Sequence, residues 1–341
     1  MKHPLLRFLH SNHTYQNNQL ISKADLHFSN ARLMRCPNLT LYYFCKPSLM
    51  TKPLLQVFIV VTLVLMVRCA HTQRLPTLGM ATSLENDSLL YASGFRLIGT
   101  TVSELLSPSI PEKEFSQKLE QVKTLQCSVI MCNVLFPPSL KIAGPDVNEA
   151  DVLAYLHQVS GRAKQMGVRN LILGSGGARR LPDGYDKMAA MRQFAELAKK
   201  MAKVVSQYNV TLILENLNST ETNFINTLKD AAWIVRTVNH PNFRLNADIY
   251  HMMKENESAA EMIDAGKLIA YCEIAEKTNR TLPGVMGDDF LPYFQALKKI
   301  KYTGPILIEG RSENIAEDVP KAFQYLTTML KEAYNQKSSN K

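Results

Sequence analysis

The sequence predicts a (β/α)8 TIM barrel, a single domain over residues 75–335 behind an N-terminal leader. Three observations carry that expectation. From residue 76 onward, eight short apolar runs of strand length alternate strictly with segments of helical periodicity. The competing doubly wound sheet normally announces itself with a Gly-rich turn after its first strand, and here the first run, 78–83, is followed by Leu84-Glu-Asn-Asp87 instead. Four late runs, 212–216, 243–248, 269–273 and 305–309, deliver Glu215, Asp248, Glu273 and Glu309 at or near their ends. On consecutive strands of a βα repeat such carboxylates converge on the C-terminal rim, where barrels keep their chemistry. Clustered carboxylates repel one another, and a divalent cation is the simplest reason to tolerate them.

The elements read off in order. Strands are expected at 78–83, 95–102, 128–135, 170–174, 210–217, 243–250, 268–275 and 305–309, because each is short, rich in β-branched or aliphatic residues and bounded by polar or turn residues. Helices are expected at 111–125, 148–166, 185–208, 222–238 and 317–333. The clearest, 185–208, lines up Met188, Met191, Phe194, Ala198, Met201 and Val205 on one stripe. Asn148, with Glu149 and Asp151 behind it, has the form of an N-cap with acids in the first turn. Gly174-Ser-Gly-Gly177 lacks the spacing of a nucleotide-binding loop and reads as a tight turn on the rim.

The formal charge of +9 belongs to the leader. Residues 1–74 hold nine Lys and Arg against one acid, which leaves the remainder near neutral and gives no electrostatic case for a nucleic-acid partner. Residues 54–67 are almost wholly apolar, preceded by Met50-Thr-Lys-Pro53 and followed by Arg68-Cys-Ala70. Residues 50–74 therefore read as a signal peptide or membrane anchor, and the run is short for a full span, which needs about 20 residues. The expected location is exported, periplasmic or secreted, with membrane contact only through this segment. Residues 1–49 lack periodicity and stay unassigned, consistent with an over-extended start, and 336–341 form a polar tail. Cys127, Cys132 and Cys272 fall in or beside strands without CxxC spacing and read as buried small hydrophobes.

Several pieces, in this order and spacing, resemble the xylose-isomerase-like barrels, specifically the sugar phosphate isomerase/epimerase group. They are Asn133-Val-Leu-Phe-Pro-Pro138 with Lys141-Ile-Ala-Gly-Pro145, Gly174-Ser-Gly-Gly-Ala-Arg-Arg180, Leu214-Glu-Asn216, Asp248-Ile-Tyr-His251, Glu276-Lys-Thr-Asn-Arg280-Thr-Leu-Pro-Gly284 and Ile308-Glu-Gly310. The resemblance spans roughly residues 76–335. It implies one divalent ion, Mn2+ or Mg2+, held by Glu215, Asp248, Glu273 and Glu309. It also implies that Glu215 and Glu309 move a substrate proton next to a carbonyl, and that His251, Arg280, Asn216 and Arg179 bind substrate.

This sequence departs from the resemblance at Glu273, where His is common, and at Gly99, where a polar side chain is expected. A third glutamate still offers oxygen to a hard cation and tilts preference away from zinc. The chemistry stands on its own terms, since a carbon acid beside a carbonyl is weak and a metal-stabilised enediolate brings it within reach of a carboxylate base. The implied function is an exported, metal-dependent sugar isomerase or epimerase acting on a small carbohydrate. The alternatives are a non-catalytic carbohydrate-binding barrel whose site has drifted, and a sugar lyase or dehydratase using the same enolate. An abasic-DNA endonuclease is disfavoured: only His157, His240 and His251 lie in the barrel body.

Overall fold

A computed structural model describes residues 73–335. The expectations for the leader, including segment 54–67, and for the tail at 336–341 lie outside the described residues. Among those described, no helix is long and apolar enough to cross a membrane.

Eight parallel strands close in sequence order: β1 (Leu78–Ala81), β2 (Leu97–Thr101), β3 (Ser128–Asn133), β4 (Asn170–Leu173), β5 (Thr211–Glu215), β6 (Phe243–Asp248), β7 (Ile269–Ile274) and β8 (Ile306–Ile308), with β8 returning to pair with β1. Eleven described helices occupy the connections and the chain end: α1 (Asp87–Ser93), α2 (Val102–Leu105), α3 (Glu112–Lys123), α4 (Glu149–Met166), α5 (Gly176–Arg179), α6 (Lys187–Ser206), α7 (Leu228–Val238), α8 (Ile249–Lys254), α9 (Ala260–Ala265), α10 (Leu291–Lys299) and α11 (Ile315–Asn335). The barrel is the expected one.

Local chemistry sets the helix ends. Asn148 accepts from the backbone N–H of Ala150 and Asp151 to start α4, and Gly167, at φ 75°, ends it in the left-handed region where a Cβ would be strained. Asp186 caps α6, which buries Ala190, Phe194, Leu197, Met201 and Val205 against the sheet. A side chain such as Phe194 contributes about 1.5–3 kcal/mol on full burial. Met188, expected on that stripe, sits in the first turn and is 48% exposed.

Two boundaries shift where a side chain caps a helix. The run 243–250 turns from strand to helix after Asp248, because the Asp248 carboxylate accepts from the N–H of His251 and caps α8. Residues 222–227 are loop, and α7 begins only after Thr227 caps it. The helices α1, α2, α5, α8, α9 and α10, of four to nine residues, are too short to read from sequence.

Two apolar layers hold the barrel. Most buried residues lie between sheet and helices, while Met131, Ile172, Ile213, Tyr271 and Leu307 fill the barrel interior. Gly99 belongs to this interior packing: a Cβ there would collide with the Met131 sulfur. The missing polar side chain on β2 is therefore space given to Met131.

Glu257 supports the start of α7, both oxygens accepting from the Leu228 N–H at 3.0 and 2.9 Å. Burial, with repulsion from Glu261 and Asp230, outweighs the helix N–H groups and pushes its carboxyl up to about 7. An acid raised in the folded state is stable while protonated and costs stability as pH rises from the ordinary carboxylate range through 7. Glu257→Gln should therefore gain in melting temperature relative to the parent between pH 5 and pH 8. A difference that is flat or falls over that interval contradicts the assignment.

Candidate metal centre and proton-transfer site

The site follows from the period of two along each strand. On β5, β7 and β8 the interior residues Ile213, Tyr271 and Leu307 pack the barrel, so the residues two positions on, Glu215, Glu273 and Glu309, emerge on the same side at the C-terminal rim. On β6 Leu245 and Ala247 face the helices, which turns Asn246 and Asp248 inward. Strand register sets Glu215 beside Asn246 and Asp248 beside Glu273.

Glu215, Asp248, Glu273 and Glu309 each offer an oxygen within 4.8 Å of the others. Glu215, Asp248 and Glu273 are buried, and the Glu309 side chain keeps 24% exposure. Burial, reinforced by Glu309, Glu215 and Asp248, pushes Glu273 well above the usual carboxylate range. Burial raises Glu309 to about 7, against the opposing pull of the Arg280 guanidinium. It also raises Glu215, held back by His251. Among the described residues, Asp248 Oδ2 and Glu273 Oε1 have no hydrogen-bond partner. Unpaired, buried, converging carboxylate oxygens fit a divalent cation, which would supply the missing partners.

A second grouping, Glu215, Asp248 and His251, also comes within 4.8 Å. His251 is nevertheless a poor ligand here. Its Nδ1 accepts from the backbone N–H of Asn218 at 3.1 Å, which leaves the ring proton on Nε2. Nε2 faces Glu215 Oε1 at 3.5 Å and Asp248 Oδ2 at 3.6 Å. Burial pulls the imidazole down, and Asp248 and Glu215 outweigh it, yet the Asn218 N–H leaves no room for a second ring proton at Nδ1. His251 Nε2 thus has an N–H with no hydrogen-bond partner among the described residues, available to donate into the site, and the donor set on offer to a cation is all oxygen.

The remaining expected residues divide. Arg280 reaches the site but holds Glu309, with Nη2 to Oε2 at 2.6 Å and Nε to the Glu309 carbonyl at 3.0 Å. Its Nη1 meets Glu221 Oε1 at 3.2 Å, and the guanidinium lies 4.6 Å over the Tyr250 ring. Two corrections concern substrate contact. Arg179 is fully buried and donates to the carbonyls of Glu215 (2.8 Å), Ile225 and Leu173. It props up the end of β5 from below, because the left-handed Ser175 (φ 45°) and α5 turn it inward. Asn216, also fully buried, accepts from the Asp248 N–H and donates to its carbonyl, so it ties β5 to β6.

Sequence reasoning missed the amides and one acid. Asn133 donates to Glu309 Oε1 at 2.5 Å, Asn246 to Glu273 Oε2, and Asn218 orients His251. Asn133 was findable, since it ends β3 as the acids end theirs. Glu276, fully buried, accepts from the N–H groups of Gly284 (2.8 Å), Met286 and Gly287 (3.0 Å) and from the Thr281 hydroxyl (2.9 Å), and so shapes the loop that carries Arg280.

The model of the xylose isomerase-like TIM barrel matches residues 90–332. This chain belongs to that family. It is 35% identical over 133 residues to an L-ribulose 3-epimerase of Methylomonas sp. (strain DH-1), covering 39% of this chain and 44% of that protein. It is 31% identical over 117 residues to a ketose 3-epimerase of Arthrobacter globiformis, covering 34% and 40%. The matched segments thus span less than half the length of these two relatives. A solved L-ribulose 3-epimerase superposes with a TM-score of 0.65 at 20% identity, over 76% of this chain and 95% of that one, a likeness of fold.

For this family member the cation reading has a direct test. A ligand that binds only the folded state stabilises it by RT ln(1 + [L]/Kd), about 2.7 kcal/mol at a hundredfold excess over Kd. Adding Mn2+ or Mg2+ to metal-stripped protein should raise the melting temperature, and chelation should reverse the rise. An unchanged melt, with no metal in the purified protein, contradicts the centre.

Proposed function

We propose that this protein is a divalent-metal-dependent epimerase or isomerase of ketoses that works by moving a proton at the carbon beside a carbonyl. The observation that carries the reading is the pair Glu215 and Glu309. Both stand at inward positions of the barrel rim with oxygens within 4.8 Å of each other, and both are raised by burial. A carboxyl raised toward neutrality, as Glu309 is to about 7, can take a proton and give one back at neutral pH. The names of the most similar relatives, 3-epimerases of ketoses, support carbon 3 as the reacting centre.

In this reading one glutamate removes the C–H proton, leaving the substrate as an enediolate. The other delivers a proton to the opposite face, which inverts the carbon and restores the carbonyl. Glu215, Asp248, Glu273 and Glu309 would hold Mn2+ or Mg2+, whose positive charge stabilises the enediolate oxygens. His251 donates from Nε2 to a substrate or carboxylate oxygen. Arg280 and Asn133 fix the Glu309 carboxylate from two sides, so that it meets the substrate in one orientation.

We also infer that the protein is exported through residues 50–74, a reading supported by the basic flank and apolar run alone.

The deciding experiment incubates the Mn2+-loaded protein in heavy water with a panel of free ketoses, inositols and keto-glycosides, and reads deuterium uptake by NMR. Uptake beside a carbonyl together with formation of the epimer supports the proposal. Loss of water from the sugar would instead point to a dehydratase, and binding without exchange to a carbohydrate-binding barrel.

A further inference from the structure

A cavity of about 510 Å3 opens between the loops that follow β2 and β3, lined by Ser107, Ser109, Val134, Pro137, Pro138 and Tyr155 among others. Its size falls in the range of about 300–1,000 Å3 usual for ligand pockets. None of its lining residues carries a charge at neutral pH. Its surface combines apolar faces, three prolines and the Tyr155 ring, with the hydroxyls of Ser103, Ser107 and Ser109. That mixture matches the C–H faces and hydroxyl rim of a neutral sugar ring and offers no positive charge to a phosphate or carboxylate.

The cavity and the candidate site share the end of β3. Val134 lines it, and the preceding residue, Asn133, holds Glu309 Oε1 at 2.5 Å. Val134 is 50% exposed with φ at 50°, a conformation that costs a β-branched residue energy and that burial does not repay here. Arg280, on the loop after β7, bonds Glu221, on the loop after β5, and these loops flank β6. In a closed ring of eight strands, β2 stands across from β6. The β2–β3 cavity thus lies across the ring from the Arg280–Glu221 bond.

We propose that this cavity is a subsite for the non-reacting ring of a neutral glycoside, whose reacting ketose ring lies over Glu215 and Glu309. The inference rests on the ketose reading above and narrows its substrate to a ketose that carries a second sugar.

The test compares a free hexulose with the same hexulose bearing a glucosyl group, using the Mn2+-loaded full chain and deuterium uptake. The quantity read is the ratio of kcat/KM, glycoside over free sugar. The parent should favour the glycoside by about tenfold or more, the scale of burying two methylene-sized groups. Ser109→Trp and Val134→Trp, both at exposed positions, fill the cavity and should bring the ratio close to one. A parent ratio at or below one, or a ratio that neither substitution moves, overturns the subsite. Should neither sugar exchange, the proposed chemistry fails, and the cavity is read separately by saturation-transfer NMR with phenyl glucoside. Transfer to the sugar ring that disappears in both variants supports the subsite, and its absence in the parent refutes it.

Discussion

Glu215→Gln and Glu309→Gln should each lower deuterium exchange by at least about a hundredfold, the usual scale for loss of a general base. Each glutamine keeps one oxygen for a cation but cannot accept a proton at working pH. Sugar binding, read by calorimetry, should persist in both. The two variants need not behave alike in their melts. Glu215 is nearly enclosed, whereas Glu309 is gripped by Arg280 and Asn133, so Glu309→Gln also leaves Arg280 without its carboxylate and should lose more stability. Exchange within tenfold of the parent in either variant removes that residue from proton transfer.

The second large effect comes from a residue with no functional group. A Cβ on Gly174 would collide with Glu215 Oε2, and the atom struck is the free end of a side chain that can swing aside. Gly174→Ala should therefore leave the fold intact, with only a small change in melting temperature, while forcing the Glu215 carboxylate out of the cluster. We expect a loss of exchange comparable with Glu215→Gln, together with weaker Mn2+ binding by calorimetry. Unimpaired metal binding in Gly174→Ala would show that the cluster tolerates Glu215 elsewhere.

The barrel and its four acids were legible because both depend on short-range pattern. Strand length, alternation with helices and an acid two residues beyond an interior position are all visible in one chain. The partners of those acids were not legible, because they are set by register. Asn133 meets Glu309 from 176 residues away, and Asn246 meets Glu273 only because β6 and β7 slip by one residue between Leu245 and Asn246. Arg179 and Asn216 misled because an Arg beside a Gly turn and an Asn beside a catalytic acid have the composition of a binding surface. Only the backbone path through Ser175 and the edge pairing of β5 with β6 turn them inward. Gly99 had its cause on the neighbouring strand, in Met131.

Glu276 separates two demands that usually conflict. One buried carboxylate gathers three backbone N–H groups and a hydroxyl from residues 281–287, so the loop's path is set by main-chain atoms, two of them on glycines at positive φ. The side chains at its crest, Val285 and Met286, are 45% and 52% exposed and take no part in that scaffold. They are free to change without unfolding the loop or displacing Arg280. On the proposed function, the chain thus has, beside the acid cluster, a stretch of sequence on which selection for a new sugar could act while Glu215 and Glu309 stay where they are.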